Sequence, residues 1–246
     1  MEPIYRQTFS VDGSAVDCFG RLKPAMILYY AQEVAGRHSA ALSVSYEYLT
    51  EKRLFWVVMR HRVQVTRMPR EGEHVHMETW PMPTTRVAYP RACVAFDDRG
   101  DELFRVISLW VLMDLDTRAM VLPGKSGVAV EGTLRGNELA VPSSLLPKGL
   151  EQTQTRRVSY SDLDRNFHMN NTRYLEWAMD LLPSDFHRAH AMKEFVVCYL
   201  SEAREGEVLE LHFDLKDGPV FQVDGHRENT DVHGKKDRVF SLQVLF

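Results

Sequence analysis

The segment Asp164-Arg165-Asn166-Phe167-His168-Met169-Asn170-Asn171 sets a carboxylate, an amide and an imidazole at alternate positions, and a further carboxylate, Glu202, closes a later apolar run. An amide can donate to a carbonyl oxygen, an imidazole can shuttle a proton, and a carboxylate can serve as base. Asn166, His168 and Glu202 together make a toolkit for hydrolysis or proton transfer. A helical pattern runs from residue 172 to about 182, with Asn171 as its expected N-cap. The free N–H groups and dipole of that helix start favour a developing oxyanion, which suits a tetrahedral intermediate. Residues 195–200 are apolar at both alternating positions and so are expected to be covered on both faces. Glu202, just beyond, is either solvated at a strand end or held by a partner.

These residues need elements to hold them, and the chain supplies the elements twice. Arg70-Glu71-Gly72-Glu73 recurs as Arg204-Glu205-Gly206-Glu207, an offset of 134. Each tetrapeptide follows a strand-like run and leads into another, HVHMETW or VLELHF, so a charged turn between strands is repeated. Upstream, Asp17-Cys18-Phe19-Gly20-Arg21-Leu22 matches Asp164 to Met169 at an offset of 147 and precedes a helical pattern from Pro24 to about residue 38. The second copy thus has a link from helix to next strand about 13 residues shorter, and Pro183 ends its helix promptly.

Each unit reads as α+β: a strand, a loop, one helix, then antiparallel strands. These fall near 56–67, 73–80, 86–97 and 103–114 in the first unit. In the second they fall near 193–202, 207–216, 219–225 and 237–246, with turns at 97–100 and 216–219 and a polar stretch around Asn229. Residues 123–150 are Gly- and Pro-bearing, lack periodicity and read as a linker, giving domains 1–122 and 151–246. Two units of this size bury more surface by pairing their sheets, so one fused, pseudo-symmetric body is expected.

The copies act as controls for each other. Asp17 and Asp164 agree, which predicts a shared role bracing a turn through side-chain to backbone bonds. Phe19 stands opposite Asn166, Arg21 opposite His168 and Met68 opposite Glu202, so the polar trio belongs to the second copy alone. Asn170 and Asn171 read as turn and cap residues.

At these residues the sequence resembles the acyl-acyl carrier protein thioesterases, double hotdog-fold enzymes of plant plastids and bacteria. The D-x-N-x-H-x-N-N-x-x-Y segment of that family is met by Asp164, Asn166, His168, Asn170, Asn171 and Tyr174, and its Tyr-x-x-Glu landmark by Tyr199 and Glu202. Plant members carry Cys after that Glu where this chain has Ala203, which argues against a cysteine nucleophile and for water or carboxylate attack involving Glu202. Cys198 would lie roughly 13 Å away along the strand. The likeness extends to the first unit through GRLKPAMILYYAQEVAGRHS and SLWVLMDLDTRAMV.

The resemblance implies two tandem hotdog units, each a long antiparallel sheet wrapped around one central helix, fused as a pseudo-dimer. It also implies hydrolysis of fatty acyl-acyl carrier protein to free fatty acid, with no cofactor and no metal. Its catalytic set carries over to Asp164, Asn166, His168 and Glu202, with Asp164 orienting its neighbours. Met26, Ile27 and Tyr30 of the first helix, together with Asn170 and Asn171, form the expected substrate-binding set, and acyl-chain selection falls to the first unit. Met26, Ile27 and Tyr30 equally fit ordinary core spacing. Alternatives are an acyl-coenzyme A thioesterase and a noncatalytic acyl-binding hotdog protein, although one copy keeping the trio speaks against the latter.

Composition sets the outer limits. Of 246 residues, 44% are hydrophobic and 26% charged, which is globular, and a net charge of -4 argues against a nucleic-acid partner. No run approaches the roughly 18 apolar residues of a membrane span, and the start MEPIYRQTF carries no targeting pattern. With three scattered cysteines, a reducing cytoplasm is the expected location. An acidic carrier protein needs a basic surface, for which Lys52, Arg53, Arg60, Arg62, Arg67, Arg70, Arg156 and Arg157 are candidates. Exposed edge strands leave a homodimer open. Gly124-Lys125-Ser126 has Ala119 where a phosphate loop needs its first glycine, and no G-x-S-x-G elbow exists. His74 with His76 and His187 with His190 lack an obvious third metal ligand.

Overall fold

Residues 3–146, 149–216, 219–230 and 236–246 are described by the computed structural model, which divides the chain into two units, Met1–Pro142 and Ser143–Phe246. The first unit carries β1 (Tyr5–Ser10), α1 (Pro24–Ala41), α2 (Tyr46–Glu51) and β2 (Leu54–Val65). It continues through β3 (His74–Pro81), β4 (Tyr89–Phe96), β5 (Glu102–Asp114), β6 (Met120–Val121) and α3 (Pro123–Ser126). Its antiparallel sheet runs in the order β1-β3-β4-β5-β2, with β6 on the end of β5. Pro24 opens α1 where a missing N–H costs nothing, and the helix buries Ile27, Leu28, Tyr30, Ala31 and Val34. Phe9 of β1 stacks on Tyr30 with ring centroids 4.3 Å apart.

The second unit carries β7 (Gln152–Arg157), α4 (Asn171–Met179), α5 (Ser184–Ala189), β8 (Glu194–Tyr199), β9 (Val208–Lys216), β10 (Val220–Thr230) and β11 (Lys236–Leu245). Its order, β7-β9-β10-β11-β8, repeats that of the first sheet element for element. The two repeated tetrapeptides therefore join β2 to β3 and β8 to β9, strands that are not neighbours in their sheets. Each is the sharp end of a crossover rather than a hairpin. Gly72 and Gly206 sit there at φ 82° and 83°, a left-handed conformation that only glycine adopts without strain.

Three sequence expectations need adjustment. The N-cap of α4 is Asn170, not Asn171: the Asn170 Oδ1 accepts from the Thr172 N–H at 3.0 Å, and Asn171 is already helical. Each unit also has more than one helix. Ser45 caps the short α2 by accepting from Tyr48 N–H at 3.3 Å, a signal too brief to stand out as a periodic pattern. Finally, residues 123–142 of the expected linker cluster with the first unit. Val128 is buried, Thr133 N–H donates to Pro81 O at 2.9 Å, Glu138 accepts from Trp80 Nε1 at 3.1 Å, and Arg60 Nη1 donates to Pro142 O at 3.1 Å. A Gly- and Pro-bearing segment without a ladder partner satisfies its backbone on strand ends and side chains instead. Of the expected turn at 216–219, residues 217–218 lie outside the described residues, as do 231–235 beside the polar stretch at Asn229.

Candidate active site

The loops before α1 and α4 are the same hydrogen-bonded object. Asp17 Oδ1 accepts from the N–H groups of Phe19 and Arg21 at 2.9 and 3.0 Å, and Asp164 Oδ1 accepts from those of Asn166 and His168 at 2.7 and 3.3 Å. Asp17 N–H donates to Arg21 O at 2.7 Å, and Asp164 N–H to His168 O at 2.8 Å. Leu22 N–H meets Pro69 O and Met169 N–H meets Ala203 O, each at 2.8 Å. Gly20 has φ 69°, and its counterpart Phe167 is held at φ 61° and is 78% exposed. Both aspartates thus close their turns on backbone donors, which is why they agree between copies.

The side chains above this shared frame differ. In the first loop the Arg21 guanidinium folds back to Asp17, Nη2 to Oδ2 at 3.0 Å, and lies over the Phe19 ring. In the second loop His168 instead meets a carboxylate outside the turn, its Nε2 lying 3.1 Å from Glu202 Oε2. Asn166 keeps only a long 3.4 Å contact from Nδ2 to Asp164 Oδ2 and is exposed. Glu202 stands three residues beyond the end of β8 with its side chain 39% exposed, while that of His168 is 16% exposed. Imidazole and carboxylate form one close pair, more open to solvent on the carboxylate side.

The floor of this site is apolar and aromatic. Tyr199 donates from its hydroxyl to Asn171 O at 3.1 Å, and Tyr174 packs against Tyr199 and Phe240. Burial raises the pKa of both tyrosines, so they act as neutral packing and hydrogen-bonding groups. Asn170 spends its side-chain oxygen on the cap, whereas the buried Nδ2 of Asn171 meets no acceptor. Cys198 alternates with Tyr199 on β8 and so projects from the opposite face of the strand. Ala203 is buried. In the first unit Ile27 and Tyr30 are buried core residues and Met26 is half-buried. Burial likewise pushes the Cys93 thiol of that unit up to about 12.

Several sequence candidates are engaged elsewhere. Arg53 pairs with Asp116, Arg156 with Asp180 at 2.9 Å, and Arg67 with Glu73 and Asp97 at 2.8 and 3.1 Å. His74 and His76 both reach Asp98, and His187 meets Met179 O at 3.0 Å. Sequence reading missed Arg227, which grips the segment bearing Glu202; the signal for it is a strand bulge that only the ladder reveals.

Residues 2–122 match the family model described as acyl-ACP thioesterase N-terminal domain, and residues 148–237 match that of the acyl-ACP thioesterase C-terminal domain. The chain belongs to the acyl-ACP thioesterase family. Among relatives, the chloroplastic palmitoyl-acyl carrier protein thioesterase of Gossypium hirsutum is 26% identical over 223 residues, covering 84% of this chain and 54% of the relative. The chloroplastic dodecanoyl-[acyl-carrier-protein] hydrolase of Cinnamomum camphora is 25% identical over 222 residues, covering 84% and 58%. The chain thus spans about half the length of the curated relatives it matches. Among solved structures, an acyl-ACP thioesterase from Bacteroides thetaiotaomicron superposes with TM-score 0.89 at 24% identity over 99% of this chain and 98% of that one. The 12:0-ACP thioesterase of Umbellularia californica gives 0.81 at 22% identity over 100% and 97%. The acyl-ACP thioesterase fold, α+β with long antiparallel sheets and few helices, is therefore that of this chain.

Proposed function

We propose that this member of the acyl-ACP thioesterase family hydrolyses fatty acyl-acyl carrier protein to free fatty acid and carrier protein, with the chemistry in residues 151–246. The observation that carries this reading is the 3.1 Å contact between His168 Nε2 and Glu202 Oε2, set on a loop whose twin in residues 1–122 pairs arginine with aspartate instead. In the mechanism, Glu202 takes a proton from water and the resulting hydroxide attacks the thioester carbonyl carbon. The oxyanion accepts hydrogen bonds from Asn166 and from Asn171 Nδ2 at the start of α4, a donor with no partner of its own. The intermediate collapses with cleavage of C–S, and the proton held by Glu202 passes through His168 to the departing sulfur. Water, acyl group and thiol balance, and no cysteine is consumed. Asp164 acts by holding the turn that presents Asn166 and His168.

Acyl-chain selection is assigned to the first unit, with Met26 beside Ile27 and Tyr30 on α1. Each methylene accommodated there is worth about 0.8 kcal/mol, so single side-chain changes shift chain-length preference severalfold. No helix of the described residues is long and apolar enough to cross a membrane, and a freely diffusing carrier protein in a cytoplasmic setting is the proposed context.

The test is release of free fatty acid from a panel of acyl carrier protein thioesters and the matched coenzyme A thioesters, with Glu202→Ala as control. The expected result is turnover of carrier protein substrates and a loss of about 10²- to 10⁴-fold in Glu202→Ala. Preferred turnover of the coenzyme A series reassigns the substrate, and no turnover of either series overturns the hydrolase reading.

A further inference from the structure

Arg227 lies on β10 just past a break in the β10–β11 ladder, where the register shifts between Gly225 and His226. A Cβ at position 225 would stand 2.1 Å from the Phe240 ring, so glycine is required for the strands to close there. A bulge of this kind bends the strand and re-aims the next side chains. The re-aimed guanidinium is 22% exposed and meets the loop after β8 at several points. Its Nη1 donates to Ser201 Oγ at 2.9 Å and to Asp237, its Nε to Glu207 Oε2 at 3.2 Å, and its Nη2 to the main-chain carbonyl of Glu202.

We propose that Arg227 is a positioning residue for the Glu202 carboxylate, an inference that rests on Glu202 acting as the general base. Three consecutive residues are tied down. Ser201 is held by its hydroxyl, Glu202 by its carbonyl, and Ala203 by Met169 N–H at 2.8 Å. With its peptide fixed on both sides, Glu202 keeps its direction toward His168 although its carboxylate is partly in water. A planar fork with five donors serves a hydroxyl, a carbonyl and two carboxylates at once, whereas an ammonium has three donors on one nitrogen and cannot meet all four.

The first unit supplies the comparison. Glu73, the counterpart of Glu207, also accepts from a guanidinium, at 2.8 and 3.0 Å, but that cation is Arg67, at the position of Ser201 in the loop itself. Arg67 then reaches Asp97 at 3.1 Å. A brace at this corner thus suffices for the fold in a copy with Met68 in place of Glu202. In the second copy the cation has moved to the sheet, which leaves a small serine at position 201 and turns two N–H groups onto the loop that bears the base.

The experiment is a double-mutant cycle of Arg227→Met and Glu202→Gln, read as steady-state hydrolysis of dodecanoyl- and palmitoyl-acyl carrier protein beside thermal unfolding. Displacing a reacting group by about 1 Å costs about 10²-fold, so Arg227→Met is expected to lower kcat by about that factor with KM within about twofold. In the Glu202→Gln background the same substitution should cost less than about threefold, because there is no base left to position. An equal loss in both backgrounds marks a merely structural brace and overturns the proposal, as does unchanged kcat in Arg227→Met. Should Arg227→Met fail to fold, Arg227→Lys runs the same cycle with the same two readings. Parental turnover in Glu202→Gln alone has a different meaning: the general-base reading fails first, and the role of Arg227 with it.

Discussion

Asp17 and Asp164 accept from the same pair of backbone N–H groups, yet only Asp164 stands under a histidine and a carboxylate in contact. Replacing either by alanine removes its two backbone hydrogen bonds, together with the Arg21 pairing of Asp17 or the Asn166 contact of Asp164, and should lower stability by about 1 kcal/mol, read as a urea midpoint. Only Asp164→Ala should also lower kcat, by about tenfold or more, because Asn166 and His168 depend on that turn. Equal kinetic loss in Asp17→Ala contradicts this division. The closeness of His168 and Glu202 was legible because the duplicated chain marks which polar residues are not needed for the fold, and the proposed role of Asn166 rests on the same comparison. Arg227 was not legible. It lies 25 positions after Glu202, reaches it across a bulge, and in one dimension looks like any arginine in a polar strand.

Among elements, the main helix of each unit and most strands were legible from periodicity, since α1 begins at Pro24 as its pattern requires and β5 ends at Asp114, whereas the short helices α2, α3 and α5 were not and β10 runs five residues further than its pattern. Which strands are neighbours was not legible either, because a tight charged turn such as 70–73 serves a crossover as well as a hairpin. The sheet of the first unit also carries a buried polar row that no hydropathy pattern announces. Arg91 of β4 pairs with Ser108 of β5, Ser108 with His61 of β2, and Arg91 reaches His38 of α1 at 3.0 Å and Thr79 of β3 at 3.3 Å. Burial lowers Arg91 to about 10 and His61 to about 3, while His61 Nδ1 meets Ser108 Oγ at 2.9 Å. A histidine kept neutral in the fold but free to protonate when unfolded lets the unfolded chain bind the extra proton. Stability should therefore fall by about 1.4 kcal/mol per pH unit on going down from about pH 6.5 toward pH 3. His61→Gln should remove that slope between pH 6.5 and 5 in urea unfolding, and an unchanged slope would show that His61 protonates in the folded state.

At the scale of the whole chain, one strand order and one loop geometry occur twice, while among the described residues the proposed His168–Glu202 pair has an Arg21–Asp17 pair as its counterpart. A net charge of -4 does not draw an acidic carrier by itself, and Arg53, Arg67 and Arg156 are already paired internally. Under the proposed function, recognition of the carrier falls to local features rather than to the field of the molecule. The central claim is that residues 151–246 hold the one reacting centre, and matched substitution of the twin loops tests it most directly. In fatty acid release from acyl carrier protein thioesters, His168→Ala should lower kcat by about 10²-fold or more, while Arg21→Ala, at the same place in the first loop, should leave kcat within about threefold. Comparable losses in the two variants would contradict the account.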